Sequence, residues 1–112
     1  VFKTLVARGD KTGFVVFCIP VAEELDLKKA ARASKNKSVE LLHVKDLLPT
    51  TGYIRGGCSP VGMKKEFPTY IDETAMLFDA IAVSGGMRGV QLIVNPDQLL
   101  GFVKGEYVDL TA

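Results

Sequence analysis

The sequence predicts an α+β (mixed α/β) protein, a curved mixed β-sheet or small barrel flanked by helices, and three observations lead there. At least five segments carry the β-branched and aromatic runs of strands. Two or three others carry helical spacing, with good capping residues at their starts. The two kinds are mixed along the chain rather than strictly alternating, which favours a curved sheet with helices packed outside.

Val1-Phe2-Lys3-Thr4-Leu5-Val6-Ala7 reads as a first strand, and Phe14-Val15-Val16-Phe17-Cys18-Ile19, apolar at every position, as a second. The turn chemistry of Arg8-Gly9-Asp10-Lys11-Thr12-Gly13 joins them as a β-hairpin. A strand apolar on both faces is covered on both sides or belongs to a barrel wall. Lys3 is then an anomaly. Period-two alternation puts it on one face with Val1 and Leu5, so its ammonium either snorkels out near the strand end or enters a lined cavity.

Pro20 closes the second strand. Asp26 is a good N-cap for a helix over residues 27–33, with Asn36 placed to end it. Leu27, Ala30 and Ala31 share one helical face, while Lys28, Lys29, Arg32 and Lys35 lie largely elsewhere. Five cations from Lys28 to Lys37 give the helix a basic outer side that either meets phosphates or is merely solvated.

Residues 39–42 alternate weakly as a short strand, and residues 44–48 make one or two helical turns that Pro49 breaks. His43, the only histidine, sits beside apolar neighbours, where a structural role is commoner than a catalytic dyad with Cys58. The stretch Thr51-Gly52-Tyr53-Ile54-Arg55-Gly56-Gly57-Cys58-Ser59-Pro60-Val61-Gly62 is the least scaffold-like part of the chain. Its glycines allow either a loop whose bare N–H groups cradle an anion or polarised carbonyl, or a tight connection between elements. Beyond Lys64-Lys65, residues 69–72 read as a strand and residues 73–78 as a short helix or turn. Residues 80–83 and 90–94 are two more strands, joined by the glycine-rich turn Ser84-Gly85-Gly86-Met87-Arg88-Gly89. Asn95 and Pro96 start a last helix that runs to about Val103.

The chain has 112 residues, 47% hydrophobic and 24% charged, which suits one domain spanning 1–112 with a real core. A formal net charge of +1 leaves the partner open, because a polyanion responds to a local basic patch and not to the total. Neither cysteine has metal-site spacing. A Cys18–Cys58 disulfide stays open, although two thiols in a chain of this size fit a reduced cytosolic protein better than a stapled secreted one. There is no signal peptide and no apolar run long enough to span a bilayer, so no membrane partner is expected. Since the sequence begins at Val1, without methionine and already in strand chemistry, an N-terminal segment is expected to be missing.

Four separated strings together resemble the YbaK family, bacterial trans-editing aminoacyl-tRNA deacylases related to the insertion domain of bacterial prolyl-tRNA synthetase. They are Phe2-Lys3-Thr4-Leu5; Pro20-Val21-Ala22 before Glu24-Leu25-Asp26-Leu27-Lys28-Lys29; Thr51-Gly52-Tyr53 with Gly56-Gly57-Cys58-Ser59-Pro60-Val61-Gly62-Met63-Lys64-Lys65; and Val83-Ser84-Gly85-Gly86-Met87-Arg88-Gly89. They cover nearly the whole chain in the family's order. The resemblance implies hydrolysis of cysteine wrongly attached to proline tRNA, a task created by a synthetase pocket that separates small amino acids poorly. It implies no cofactor and no metal, a cytoplasmic location, mischarged tRNA(Pro) as substrate and prolyl-tRNA synthetase as a possible partner. It makes Lys3 the essential pocket residue and matches Thr4, Gly56 and Ser84 to other site positions. It also implies that the thiol of the attached cysteine attacks its own ester, giving a cyclic thioester and free tRNA. Deacylation of Ala-tRNA(Pro), or a non-catalytic module binding tRNA or the synthetase, are the alternative readings.

The residues themselves support part of this chemistry. Lys3, as a cation in a partly desolvated place, could bind the terminal ribose or phosphate or polarise the ester carbonyl, with N–H groups of Gly56 and Gly57 facing the oxyanion. No Ser-His-Asp set, metal cluster or paired carboxylate motif supplies a base, which makes a nucleophile borrowed from the substrate attractive. Lys28, Lys29, Arg32 and Lys35 are the candidate tRNA contacts.

Overall fold

Val15 to Ile19 of the second apolar run are all buried and Phe14 is half-buried, because the sheet they belong to is covered on both faces. The computed structural model describes residues 1–42, 67–84 and 91–112. Within them β1 (Phe2–Gly9) and β2 (Gly13–Pro20) form the expected hairpin, in register from Phe2 opposite Pro20 to Gly9 opposite Gly13. Gly13 turns the chain at φ +76°, a left-handed position that glycine takes without steric cost. Pro20 is the last residue of β2, where its missing N–H falls at the strand end.

Around the hairpin, β3 (Val39–Leu41) pairs antiparallel with β1, β4 (Thr69–Asp72) lies parallel to β2, and β7 (Glu106–Val108) lies parallel to β4. The order of this five-stranded mixed sheet is β3-β1-β2-β4-β7. A separate antiparallel pair is made by β5 (Ile81–Ser84) and β6 (Gln91–Val94). Helices α1 (Leu27–Ala33) and α2 (Pro96–Val103) and a 3-10 turn at Glu73–Leu77 complete the described elements. The mixed sheet with outer helices is thus the fold class the sequence predicts. The turns expected at residues 44–48 and the glycine stretch at 51–62 lie outside the described residues.

Alternation along the hairpin feeds two cores. Ala7, Val15, Phe17 and Ile19 pack against Ala30 and Ala31 of α1, Val39 and Leu110, with Leu5 partly buried beside them. Phe2 and Cys18 point the other way, into Ile71, Ala75, Ile81, Val83 and Leu99. Val6 and Val16, on that same second face, meet Leu42 and Phe67. Phe17 and Ile19 are completely buried, and each such side chain contributes roughly 1.5–3 kcal/mol.

Asp26 caps α1 as expected, its carboxylate accepting from the N–H groups of Lys28 and Lys29. The C-terminus departs from the sequence reading. The left-handed residue is Lys35, at φ 64°, and not Asn36. The Lys35 N–H donates to the Arg32 carbonyl and the Asn36 N–H to the Ala31 carbonyl, a Schellman closure. Leu27, expected on the inner face, is 44% exposed at the first turn.

Asn36 is instead a buried hub between α1 and the β1–β2 turn. Its Oδ1 accepts from the N–H of Lys11 at 2.8 Å and of Thr12 at 3.1 Å. Its Nδ2 donates to Thr12 Oγ1 at 3.0 Å and to Ser34 Oγ at 2.9 Å. A Cβ at Gly9 would come within 2.3 Å of this amide, so glycine is needed there for close approach. Gly9→Ala should therefore cost about 1–3 kcal/mol, visible as a lower urea midpoint, through displacement of Asn36; an unshifted midpoint would show that the hub yields without loss.

The C-terminal residues are sewn across the fold. Asp72, completely buried, accepts from the Leu110 N–H at 2.9 Å and from the Thr74 N–H and hydroxyl at 3.2 and 2.5 Å. The Asp26 N–H donates to the Leu110 carbonyl, Leu25 bridges Thr111, and the Ala112 N–H donates to the Glu24 carbonyl. On α2, Asp97 accepts from the Tyr107 hydroxyl at 2.7 Å; burial first, then this bond, pushes the phenol up to about 12. No described helix is long and apolar enough to cross a membrane.

Candidate active site

Lys3 sits in the β1 ladder opposite Ile19 and is half-buried. Alternation gives it the face of Leu5, Ala7 and the completely buried Ile19, an apolar wall on which a lysine stem can lie while its head reaches a wetter place. This is the partly desolvated position the sequence suggests for the cation.

Thr4 follows Lys3 in the chain but faces the other side of the sheet. It is half-buried, with Oγ1 3.8 Å from the sulfur of buried Cys18, its register partner. The backbone of Ser84 ends β5, whose Ile81 and Val83 pack with Phe2 and Cys18 on this second face. The described structure therefore brings Thr4 and the Ser84 backbone to one side of β1 and puts Lys3 on the other. Strand period two makes that separation unavoidable for adjacent residues.

Gly56, Gly57, Cys58 and His43 lie outside the described residues, but the flanks of their segment are placed. The Leu42 N–H donates to the Val6 carbonyl at 3.0 Å, and the Val16 N–H donates to the Pro68 carbonyl at 2.8 Å. Leu42 and Phe67 both pack on Val6 and Val16. The chain thus leaves and re-enters beside the middle of the hairpin, three residues along β1 from Lys3.

The basic helix divides. Lys29 is committed to the fold: its ammonium donates to Asp109 at 2.9 Å and to the Thr111 carbonyl at 2.8 Å. The hydrogen bond to Asp109 is the main reason its affinity for the proton is raised. Lys28, Arg32 and Lys35 are exposed at i, i+4 and i+7 spacing. Lys11 escaped the sequence reading because only the Asn36 hub brings its turn to the end of α1.

The family model described as an aminoacyl-tRNA editing domain matches residues 1–102. A protein of Enterococcus faecalis, a provisional Cys-tRNA(Pro)/Cys-tRNA(Cys) deacylase named EbsC, is 58% identical over 111 residues, which are 99% of this chain and 68% of that protein. A solved structure described as a provisional trans-editing enzyme for prolyl tRNA synthetase superposes with TM-score 0.89 at 28% identity, covering 99% of this chain and 69% of the other. A hypothetical protein at 20% identity superposes with TM-score 0.91 over 100% of this chain and 74% of its own, a likeness that bears on the fold alone. With the family match running from the first strand to the last helix, the chain belongs to the aminoacyl-tRNA editing domain family.

Proposed function

We propose that this protein is a trans-editing deacylase that removes cysteine from mischarged Cys-tRNA(Pro), acting in the cytoplasm beside prolyl-tRNA synthetase. The observation that carries the reading is 58% identity, over 99% of the chain, to a relative whose name specifies Cys-tRNA(Pro) and Cys-tRNA(Cys). The thiol of the attached cysteine is the nucleophile. A thiol with a reference pKa near 8.5 is about a few per cent thiolate at neutral pH, which already outperforms water as a nucleophile. The sulfur bonds to the ester carbonyl carbon, the bond to the ribose oxygen breaks, and the thiol's proton ends on that oxygen. Water then opens the cyclic thioester to free cysteine.

In this scheme Lys3 supplies a fixed positive charge to the developing oxyanion or to the terminal ribose and phosphate, and N–H groups of Gly56 and Gly57 donate to the oxyanion. Thr4 and Ser84 are the further substrate contacts that the family resemblance implies, although Thr4 and the Ser84 backbone lie across β1 from the Lys3 face. Cys58 is not the nucleophile in this scheme.

A deacylation panel over Cys-, Ala-, Ser- and Pro-tRNA(Pro), with Cys-tRNA(Cys) added, tests the reading. Cys-tRNA(Pro) should turn over about tenfold or more faster than Ala- and Ser-tRNA(Pro), since replacing the thiol removes the attacking group. Faster release of alanine would give the enzyme a different substrate, and tRNA binding without any turnover would make it a binding module. Cys58→Ser should keep most of the activity, measured as initial rate on Cys-tRNA(Pro); an acyl-enzyme trapped on Cys58 would refute the substrate-assisted route.

A further inference from the structure

The Asn36 hub gathers cations that the deacylation chemistry does not use. Asn36 lies between exposed Lys35 and Lys37, and its side chain holds the backbone of exposed Lys11 at 2.8 Å. Arg32 stands one helical turn before Lys35, and Lys28 a further turn back, both exposed. The result is a ridge of five cations along α1 and over the hairpin turn. Two carboxylates sit in it, but both are engaged by backbone: Asp10 Oδ1 accepts from the N–H groups of Lys37 and Ser38 at 2.9 and 3.1 Å, and Asp26 Oδ1 from those of Lys28 and Lys29 at 2.9 and 3.1 Å. Glu40 is opposite Arg8 in the register of β1 and β3, at the margin of the ridge.

We propose that Lys11, Lys28, Arg32, Lys35 and Lys37 form a docking surface for the phosphates of duplex RNA, which on the deacylase reading is the acceptor stem of the tRNA. That identification of the RNA rests on the proposed function; the surface itself rests on the ridge. Lysine and arginine without an interleaved aromatic suit a phosphate backbone, whereas single-strand binders add stacking platforms. The six-residue step from Lys3 to Gly9 spans about 20 Å of strand, so the Lys11, Lys35 and Lys37 end of the ridge is remote from the ester, toward the part of the substrate beyond its single-stranded end. Lys29, with its ammonium held by Asp109 and Thr111, does not belong to the surface.

The hub also provides a clean test. Lys35 occupies a left-handed φ that glycine takes more readily, so Lys35→Gly keeps or raises the melting temperature while removing a cation. The variant Lys11→Gln/Lys35→Gly/Lys37→Gln retains every backbone and Asn36 contact. Binding of uncharged tRNA(Pro) and of a short RNA duplex is measured across a salt series, alongside deacylation of a short single-stranded Cys-RNA. The triple variant should bind both RNAs about tenfold or more weakly at low salt, with a salt slope shallower by about 2–3, and should process the short substrate normally. Lys29→Gln should leave the slope unchanged. An unaltered slope in the triple variant, an equal loss on the short substrate, or a loss confined to anionic lipid vesicles would overturn the proposal. A wild-type protein that binds duplex through the ridge yet releases no amino acid would refute the deacylase reading and leave the surface standing.

Discussion

Lys3→Ala is expected to lower kcat/KM for Cys-tRNA(Pro) by about 100-fold or more while the protein stays folded. Removing one preorganised charge or donor from a developing oxyanion typically costs about 10²–10³ in rate, and no other cation is so placed among the described residues of β1 and β2. The fold should tolerate the change. Lys3 is half-buried near the end of β1, its backbone bonds to β2 are unaffected, and its removal opens no sealed cavity beside Ile19. Arginine should rescue only partly, because a planar fork does not reproduce a compact ammonium. Single-turnover deacylation beside a thermal melt decides the matter: wild-type rates in a folded Lys3→Ala protein would remove Lys3 from the chemistry.

The largest expected loss of stability is at Asp72. Asp72→Ala should cost about 3 kcal/mol or more, because it strands the Leu110 N–H and both Thr74 donors, and each buried donor left unmade costs about 1–3 kcal/mol. With a urea slope of about 1–3 kcal/mol/M for a protein of this size, the midpoint should fall by about 1 M or more. Asp72→Asn keeps one acceptor oxygen and should fall between. An Asp72→Ala midpoint within experimental scatter of wild type would show that the C-terminal residues are held by their apolar contacts alone.

What the sequence made legible was local. The first hairpin, the Asp26 and Asn95 caps and the proline start of α2 are each written in a few neighbouring residues, and each is found where expected. β7 was missed because three residues after a left-handed Lys104 carry no periodicity; the strand exists through pairing with β4. Asn36 was read as a helix stop because that role is local, whereas its bonds to Lys11 and Thr12 depend on two elements meeting. Lys29 looked equivalent to its basic neighbours, and only Asp109, 80 positions away, sets it apart. The site shows the same division. The half-burial of Lys3 follows from a charge in an apolar strand, but the shared motif groups Lys3 with Thr4, and the pleat sends them to opposite faces.

The stitching of residues 110–112 to Glu24, Leu25 and Asp26 also dictates a timetable for the nascent chain. The loop that leads into α1 is translated early, yet the strand edge it leans on appears more than eighty codons later. At elongation speeds of about 5–20 residues per second, that segment waits roughly 4–17 s for its partner. The hairpin can close within microseconds of leaving the exit tunnel, so during this interval a formed β1–β2 pair carries an unanchored helix. The Ala30 and Ala31 face of that helix, together with Phe17 and Ile19, is then open to a chaperone or to another nascent chain until Leu110 arrives.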